Sequence, residues 1–485
     1  MRIVHVSPEI VPFAKTGGLA DVVGALPAAI KTLQHDTCVF MPLYKQVKEN
    51  TRDLAQVDVR LTIPIGNTVA TGNLWRSVIP KTDVVAYFVQ KDEYYHRDQL
   101  YGTPQGDFKD NSERFIFFAK AVLEAMKAMQ LKADIVHCHD WQSAMIPVYL
   151  KTLYAVDPFF QQTKSVLTVH NMAYQGVFWH WDMKLTGLDW SLFNWKQLEF
   201  YGKLNFLKGG VVFADAVTTV SPRYAAEVQS AEFGCGLEGV LTERRDTLFG
   251  IINGIDYSVW NPEIDPLIPA KYSAKNLAGK AKCKEHLQKK SKLPVKDVPV
   301  LGMIGRLADQ KGMDLVAGCL DELMTQDVQM VILGAGEEKY HKLLHEVAEK
   351  FAGKLSVTIG FDNQLAHEIE AGADMFLMPS RYEPCGLNQL YSLKYGTIPV
   401  VRETGGLADT VTDARPEALK SRTATGFVFQ ELSPEGLMTA LTTALAAYGN
   451  QKVWKQLMKT GMAQDWSWKS SAEKYVTLYK RVVAK

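Results

Sequence analysis

Lys15 stands just ahead of the pair Gly17–Gly18 in F-A-K-T-G-G-L-A-D, between a strand-like apolar run and a helix-like one. Two flexible glycines at a helix start let backbone N–H groups approach an anion at the positive end of the helix, and a nearby ammonium can point at the same charge. That is the chemistry of a phosphate cradle, although the G-x-x-x-x-G-K-[ST] spacing of a P-loop is missing. A second cationic pair, Arg306 and Lys311, lies in M-I-G-R-L-A-D-Q-K-G at the end of another strand-like run. Ligands of parallel sheets collect at such strand ends, because loops and helix N-termini meet there. Lys15, Arg306 and Lys311 together match the roughly three negative charges of a departing nucleoside diphosphate, enough to stabilise it without a metal. Taken singly, each reads more readily as a solvated loop residue.

Glu383 lies in P-S-R-Y-E-P-C-G-L-N-Q-L-Y after the apolar run M-F-L-M. There a carboxylate can meet both a helix dipole and a ligand, or serve only as a helix N-terminal charge. Asp140 with Trp141, and His170 with Asn171, end two further strand-like runs and suggest polar groups that reach a hydroxylated ligand. Either histidine is also compatible with a hydrogen-bonded strand-end residue. H-C-H-D at 137 to 140 has no third ligand nearby in sequence, and no D-x-D pair is present, so no metal site is expected.

The elements that must position these groups are short Val- and Ile-rich runs, at 2 to 6, 134 to 138, 165 to 169, 216 to 220, 249 to 252, 299 to 304, 329 to 333, 355 to 359, 374 to 378 and 398 to 401. They lack clean alternation and are separated by helix-like stretches, which indicates an α/β protein with parallel sheet covered on both faces. The pattern restarts after a charged, proline-bearing region at about 241 to 300, which looks like a domain junction. T-G-G-L-A-D-V-V at 16 to 23 returns as T-G-G-L-A-D-T-V at 404 to 411, identical at seven of eight positions, and suggests two similar halves. The chain's 485 residues, 47% hydrophobic and 22% charged, exclude a disordered or fibrous protein. With 54 basic against 53 acidic residues there is no global field to hold nucleic acid or an anionic membrane. Six scattered cysteines without a C-x-x-C pair read as reduced thiols, and the opening apolar run is broken at Pro8 and Glu9 too soon for an export signal. A cytoplasmic protein is expected.

K-T-G-G-L-A-D-V-V-G-A-L-P, H-x-H-D-W, T-V-H-N-x-A-Y-Q-G, N-G-I-D-x-x-x-W-N-P, R-L-x-x-Q-K-G, R-Y-E-P-C-G-L-N-Q-L-Y and T-G-G-L-A-D-T-V follow one another over nearly the whole chain. In these seven blocks the sequence resembles the bacterial glycogen synthases and plant starch synthases. The resemblance implies two Rossmann-like domains facing across a cleft (the glycosyltransferase B fold), expected at residues 1–248 on the glucan side and 249–464 on the nucleotide-sugar side, with 465–485 crossing back to the first. It implies transfer of glucose from ADP-glucose to the 4-hydroxyl end of an α-1,4-glucan with retention, and neither cofactor nor metal. Lys15, Arg306 and Lys311 would contact the donor diphosphate, Glu383 the transferring glucose, and Asp140 and His170 the reacting sugar. Tyr95 resembles the family's sugar-side tyrosine, Asn253 falls near the domain junction, and Phe361 stands where relatives stack on adenine. Gly17, Gly18, Asp21, Asn171 and the run Cys385, Gly386, Leu387 and Asn388 complete the implied substrate-binding set. Tyr391 stands eight residues after Glu383, where many other retaining transferases carry a second glutamate.

A catalytically silent glucan- or nucleotide-binding scaffold of the same fold is the alternative; loss of Lys15 or Glu383 would have pointed there, and both are present. An epimerase would need no extended acceptor surface, whereas Trp141, Tyr174 and Trp179 favour a glucan.

Overall fold

The computed structural model describes residues 1–484. Contacts divide the chain into two compact units, one made of Met1–Gly254 with the chain from Trp468 onward, the other of Ile255–Ser467. The limits expected after 248 and after 464 lie slightly earlier in sequence. Leu248–Gly250 pairs in parallel with Ala216–Thr219, so it completes the first sheet before the chain leaves it.

The first unit is built on a nine-stranded sheet in the order Leu248–Gly250, Ala216–Thr219, Lys164–Val169, Ile135–His139, Arg2–Val6, Asp36–Pro42, Val85–Gln90, Thr68–Val78, Ala55–Ile65. All neighbours are parallel as far as Val85–Gln90, and the last two strands add an antiparallel hairpin. Asp36–Pro42, Val85–Gln90 and the hairpin were not among the runs expected from sequence. Ala55–Ile65 alternates exposed and buried residues because an edge hairpin wets one face, unlike the buried parallel strands. The helix Gly18–Thr32 buries Leu19, Val22, Val23, Leu26 and Ile30, a stripe at helical spacing. The last helix, Trp468–Val483, buries Trp468, Ala472, Tyr475, Tyr479 and Val482 against the same core as Val22, Leu26 and Ile135. Each fully buried large apolar side chain contributes about 1.5–3 kcal/mol, which suffices to hold this helix on the first unit.

The second unit carries six parallel strands in the order Leu355–Ile359, Gln329–Gly334, Val300–Ile304, Met375–Met378, Ile398–Arg402, Phe427–Phe429. Counted along the chain this is the doubly wound order 3-2-1-4-5-6. Its switch point lies between Val300–Ile304 and Met375–Met378; in the first sheet the equivalent point lies between Arg2–Val6 and Ile135–His139.

The sequence echo does not mark equivalent positions. Its first copy follows the first strand of its sheet, whereas the second, with the helix Gly405–Thr410, follows the fifth strand, Ile398–Arg402. The counterpart of the first copy in the second unit is the Arg306–Lys311 loop. Among the described residues no helix is long and apolar enough to cross a membrane.

Candidate active site

In the first unit, the segments that follow the switch-point strands Arg2–Val6 and Ile135–His139 carry Glu9, Lys15, Asp21 and Asp140, and the adjacent strand Lys164–Val169 brings His170 beside Asp140. Lys15 is exposed, and its Nζ donates to both carboxylate oxygens of Asp21 at 2.7 Å. Asp21 is therefore the partner of Lys15 in this structure. A Cβ at Gly17 or Gly18 would meet nothing within 4 Å, so the backbone is open to a ligand on that side. The amides expected to face a phosphate are partly engaged. Glu9, which sequence reasoning passed over, accepts from the Thr16 N–H (2.5 Å), the Gly17 N–H (3.2 Å), the Thr16 hydroxyl (2.5 Å) and the Tyr101 hydroxyl (2.7 Å). The chain's own buried carboxylate thus holds the loop in shape. A carboxylate lying between the first strand and the glycine pair was the available signal.

Asp140 adopts φ +56°, a left-handed conformation that Asp tolerates, and its Oδ1 accepts from the His170 N–H at 2.7 Å. Burial pushes its carboxyl up to about 7; the charge of Glu9 adds to the rise, and the N–H groups of His170 and Asn171 oppose it. Burial lowers His170 to about 3, so its ring is neutral at neutral pH. Asn171 turns its Oδ1 back to the Ala173 N–H at 3.0 Å.

The folded Asp140 carboxyl keeps its proton to about 7, whereas an unfolded aspartate loses it near ~3.9. Between these values the native state binds more protons than the unfolded one, so this group's contribution to stability falls as pH rises through the window. Asp140→Asn keeps an acceptor for His170 and tolerates the same φ, but does not titrate. Its melting temperature relative to the wild type should climb from pH 4 to pH 7. Parallel curves would show that Asp140 titrates normally.

Tyr95 departs from expectation. Its side chain is fully buried, its hydroxyl donates to the Arg114 carbonyl at 2.8 Å, and it packs edge-on against Tyr44, so it shapes the core. Trp141 is likewise a core residue, packed on Phe115 and Phe178, whereas Tyr174 and Trp179 are exposed. Asn253 is buried, and its Oδ1 has no hydrogen-bond partner among the described residues. His5, absent from the sequence reading, joins His137 and His139 in a buried trio. The nitrogens of His137 lie against Tyr479 (2.7 Å) and Thr168 (2.6 Å), and those of His139 against His5 (3.3 Å) and His170 (3.1 Å).

In the second unit Glu383 and Lys311 meet at the switch point. Lys311 Nζ donates to Glu383 Oε2 at 2.5 Å, and the buried Ser380 hydroxyl donates to the same oxygen at 3.0 Å. Gly405, at φ +42°, and Gly406 let the second T-G-G loop press on this segment: a Cβ on either would lie 2.0 Å from the carbonyl of Glu383 or Cys385. The Gly406 N–H donates to the Glu383 carbonyl at 3.0 Å. Arg306 is exposed, and its guanidinium donates to Gln310. Asn388 Nδ2 donates to the Ile304 carbonyl at 2.8 Å and ties the helix Asn388–Tyr395 to the first strand of this sheet. Cys385 is buried, Gly386 takes φ +71°, and Leu387 precedes the first turn of that helix. Phe361 is 93% exposed beyond the strand Leu355–Ile359. Tyr391 stacks on Trp260 at 4.0 Å, and Trp260 stacks in turn on His367 at 3.8 Å, so position 391 serves packing.

Two Rossmann-like units with cations and carboxylates at their switch points form the framework of a GT-B glycosyltransferase. Residues 2–243 match the starch synthase catalytic domain family, and 284–459 match the glycosyl transferases group 1 family. The chain is 47% identical to a glycogen synthase of Koribacter versatilis, over 99% of this chain and 98% of that one, and 45% identical to one of Syntrophotalea carbinolica, over 100% and 99%. The catalytic domain of starch synthase IV from Arabidopsis thaliana, bound to ADP and acarbose, superposes with a TM-score of 0.90 at 33% identity, covering 100% of this chain and 99% of that one. The chain belongs to the glycogen synthase family of glycosyltransferases.

Proposed function

We propose that this chain transfers glucose from ADP-glucose to the 4-hydroxyl at the end of an α-1,4-glucan, with retention of configuration. The observation that carries this reading is the Lys311–Glu383 pair at the switch point of the second unit, with Arg306 in the same loop region. Lys311 and Arg306 stabilise the departing diphosphate, and Lys15 of the first unit adds a third cation where charge develops. Glu383 holds the glucose hydroxyls and the oxocarbenium-like charge, Phe361 offers its exposed ring to the adenine, and the run Cys385 to Asn388 lines the sugar. Asp140, His170 and Asn171 of the first unit act on the reacting sugar, and this unit takes the glucan. The binding of ADP and acarbose by the starch synthase neighbour supports both substrate classes.

Retention follows from a same-face reaction. The bond from the anomeric carbon to the phosphate oxygen breaks, the acceptor 4-oxygen bonds to that carbon, and the leaving phosphate oxygen takes the hydroxyl proton. The test is incubation with glycogen and ADP-glucose or UDP-glucose, with measurement of nucleoside diphosphate release and the anomeric form of the product. Release should be faster with ADP-glucose, and excess chelator should leave the rate nearly unchanged. Loss of most activity on chelation, restored by magnesium, would overturn the leaving-group argument. ADP binding without glucan elongation would mark a scaffold.

A further inference from the structure

Four histidines line one region of the first sheet: His5 on Arg2–Val6, His137 and His139 on Ile135–His139, and His170 just past Lys164–Val169. His137 is satisfied by Tyr479 and Thr168. The other three form a chain, His5 Nδ1 to His139 Nε2 at 3.3 Å and His139 Nδ1 to His170 Nε2 at 3.1 Å. His5 and His139 are fully buried. His170 Nδ1, the outer end of the chain, has no protein partner among the described residues.

Burial keeps the rings neutral, lowering His5 and His170 to about 3 and His139 well below its usual value. A neutral imidazole has one N–H and one lone pair, and each nitrogen–nitrogen contact requires one proton between its atoms. The protons of the chain can therefore run in only two directions. In one direction every ring carries its proton on Nε2, which leaves a buried N–H at His5 Nε2, an atom with no hydrogen-bond partner among the described residues. In the other direction every ring carries it on Nδ1, and what remains unpaired at His5 Nε2 is a lone pair. A buried N–H without an acceptor is the rarer and costlier defect.

We propose that His5 and His139 are positioning residues that lock His170 in the Nδ1–H tautomer, so that it presents a fixed hydrogen-bond donor to a hydroxyl of the bound glucose. The inference rests on the reading that His170 works at the sugar. In this tautomer His170 Nδ1 cannot accept a proton, so the ring orients the sugar and does not act there as a general base. The direction is imposed from the buried end, two hydrogen bonds away from the ligand.

The tautomer is read by long-range 1H–15N NMR on the full-length, ligand-free protein labelled at histidine, with His170 assigned by substitution. The expected pattern is Nδ1–H at His170, the reverse of the Nε2–H form that free histidine favours. An Nε2–H signal there would overturn the proposal without reference to activity. Two nearly isosteric variants then test the relay. His5→Leu keeps an apolar end, so His170 should remain Nδ1–H. His5→Asn puts an amide at that end, donor and acceptor alike, which releases the constraint. His170 should then show the Nε2–H form, and kcat should fall about tenfold below that of His5→Leu, the loss of one hydrogen bond to substrate. Losses that follow Tm in both variants, with the tautomer unchanged, would reduce His5 to a packing role and overturn the relay. Full activity in a folded His170→Ala would overturn the glucose contact, while the NMR pattern still judges the tautomer.

Discussion

Glu383→Gln should lower kcat by about a hundredfold to a thousandfold, the range seen when one preorganised electrostatic contact to a transition state is lost. Glutamine keeps the length of the side chain and an oxygen for the hydroxyl of Ser380, but it removes the charge facing Lys311 and, in the role proposed for Glu383, the charge facing the developing oxocarbenium. The carboxylate is buried, whereas Lys311 retains partial exposure, its side chain 26% accessible. Lys311 can therefore turn toward water, which keeps the cost to folding below the 3–5 kcal/mol expected, roughly, for a fully buried pair broken on one side. The measurement is ADP release with glycogen as acceptor, alongside a thermal melt. A folded variant within about threefold of wild-type kcat would leave Glu383 as no more than an anchor for Lys311, since that is too small for a lost transition-state contact.

Lys15→Ala should reduce kcat/KM by roughly ten to a few hundredfold, the effect of removing a charge-assisted contact worth about 1.5–3 kcal/mol. Stability should hardly change. The pair with Asp21 is solvent-exposed, with side-chain accessibilities of 52% and 34%, and such pairs contribute about 0–1 kcal/mol. Lys15→Arg separates charge from shape: it restores the cation but not the compact ammonium, and partial recovery is expected. An unchanged kcat/KM in folded Lys15→Ala would return this residue to the role of a solvated partner of Asp21.

Much of the framework was legible in order along the chain. The strand runs expected at 2 to 6, 165 to 169, 329 to 333 and 355 to 359 agree with Arg2–Val6, Lys164–Val169, Gln329–Gly334 and Leu355–Ile359 to within a residue or two. Buried parallel strands are continuous apolar runs, and such runs stand out. The hairpin Ala55–Ile65 and Thr68–Val78 escaped notice because its alternating pattern differs from that of the buried strands. The two T-G-G-L-A-D copies illustrate the opposite error. The same local chemistry, a strand followed by a glycine-opened helix, serves a possible ligand surface at Gly17 and a backbone contact with Glu383 at Gly405.

By itself the sequence determined the elements and the chemical kinds of group placed at their ends, since both depend on neighbours within a turn or a strand. Lys15 before glycines, Arg306 and Lys311 after a strand, and Glu383 ahead of a helix are local facts. Which groups meet was decided only by tertiary structure. Parallel strands joined by crossovers bring together residues far apart in the chain, as with His5 and His139, 134 positions apart, or Glu9 and Tyr101, 92 apart. Spacing along the chain carries no record of such pairings. They arise when the strand register and the burial of each face place one polar atom where the neighbouring strand leaves another unsatisfied, and burial then selects the partner. For the same reason Tyr95, read as a ligand residue, lies in the core with its hydroxyl on Arg114.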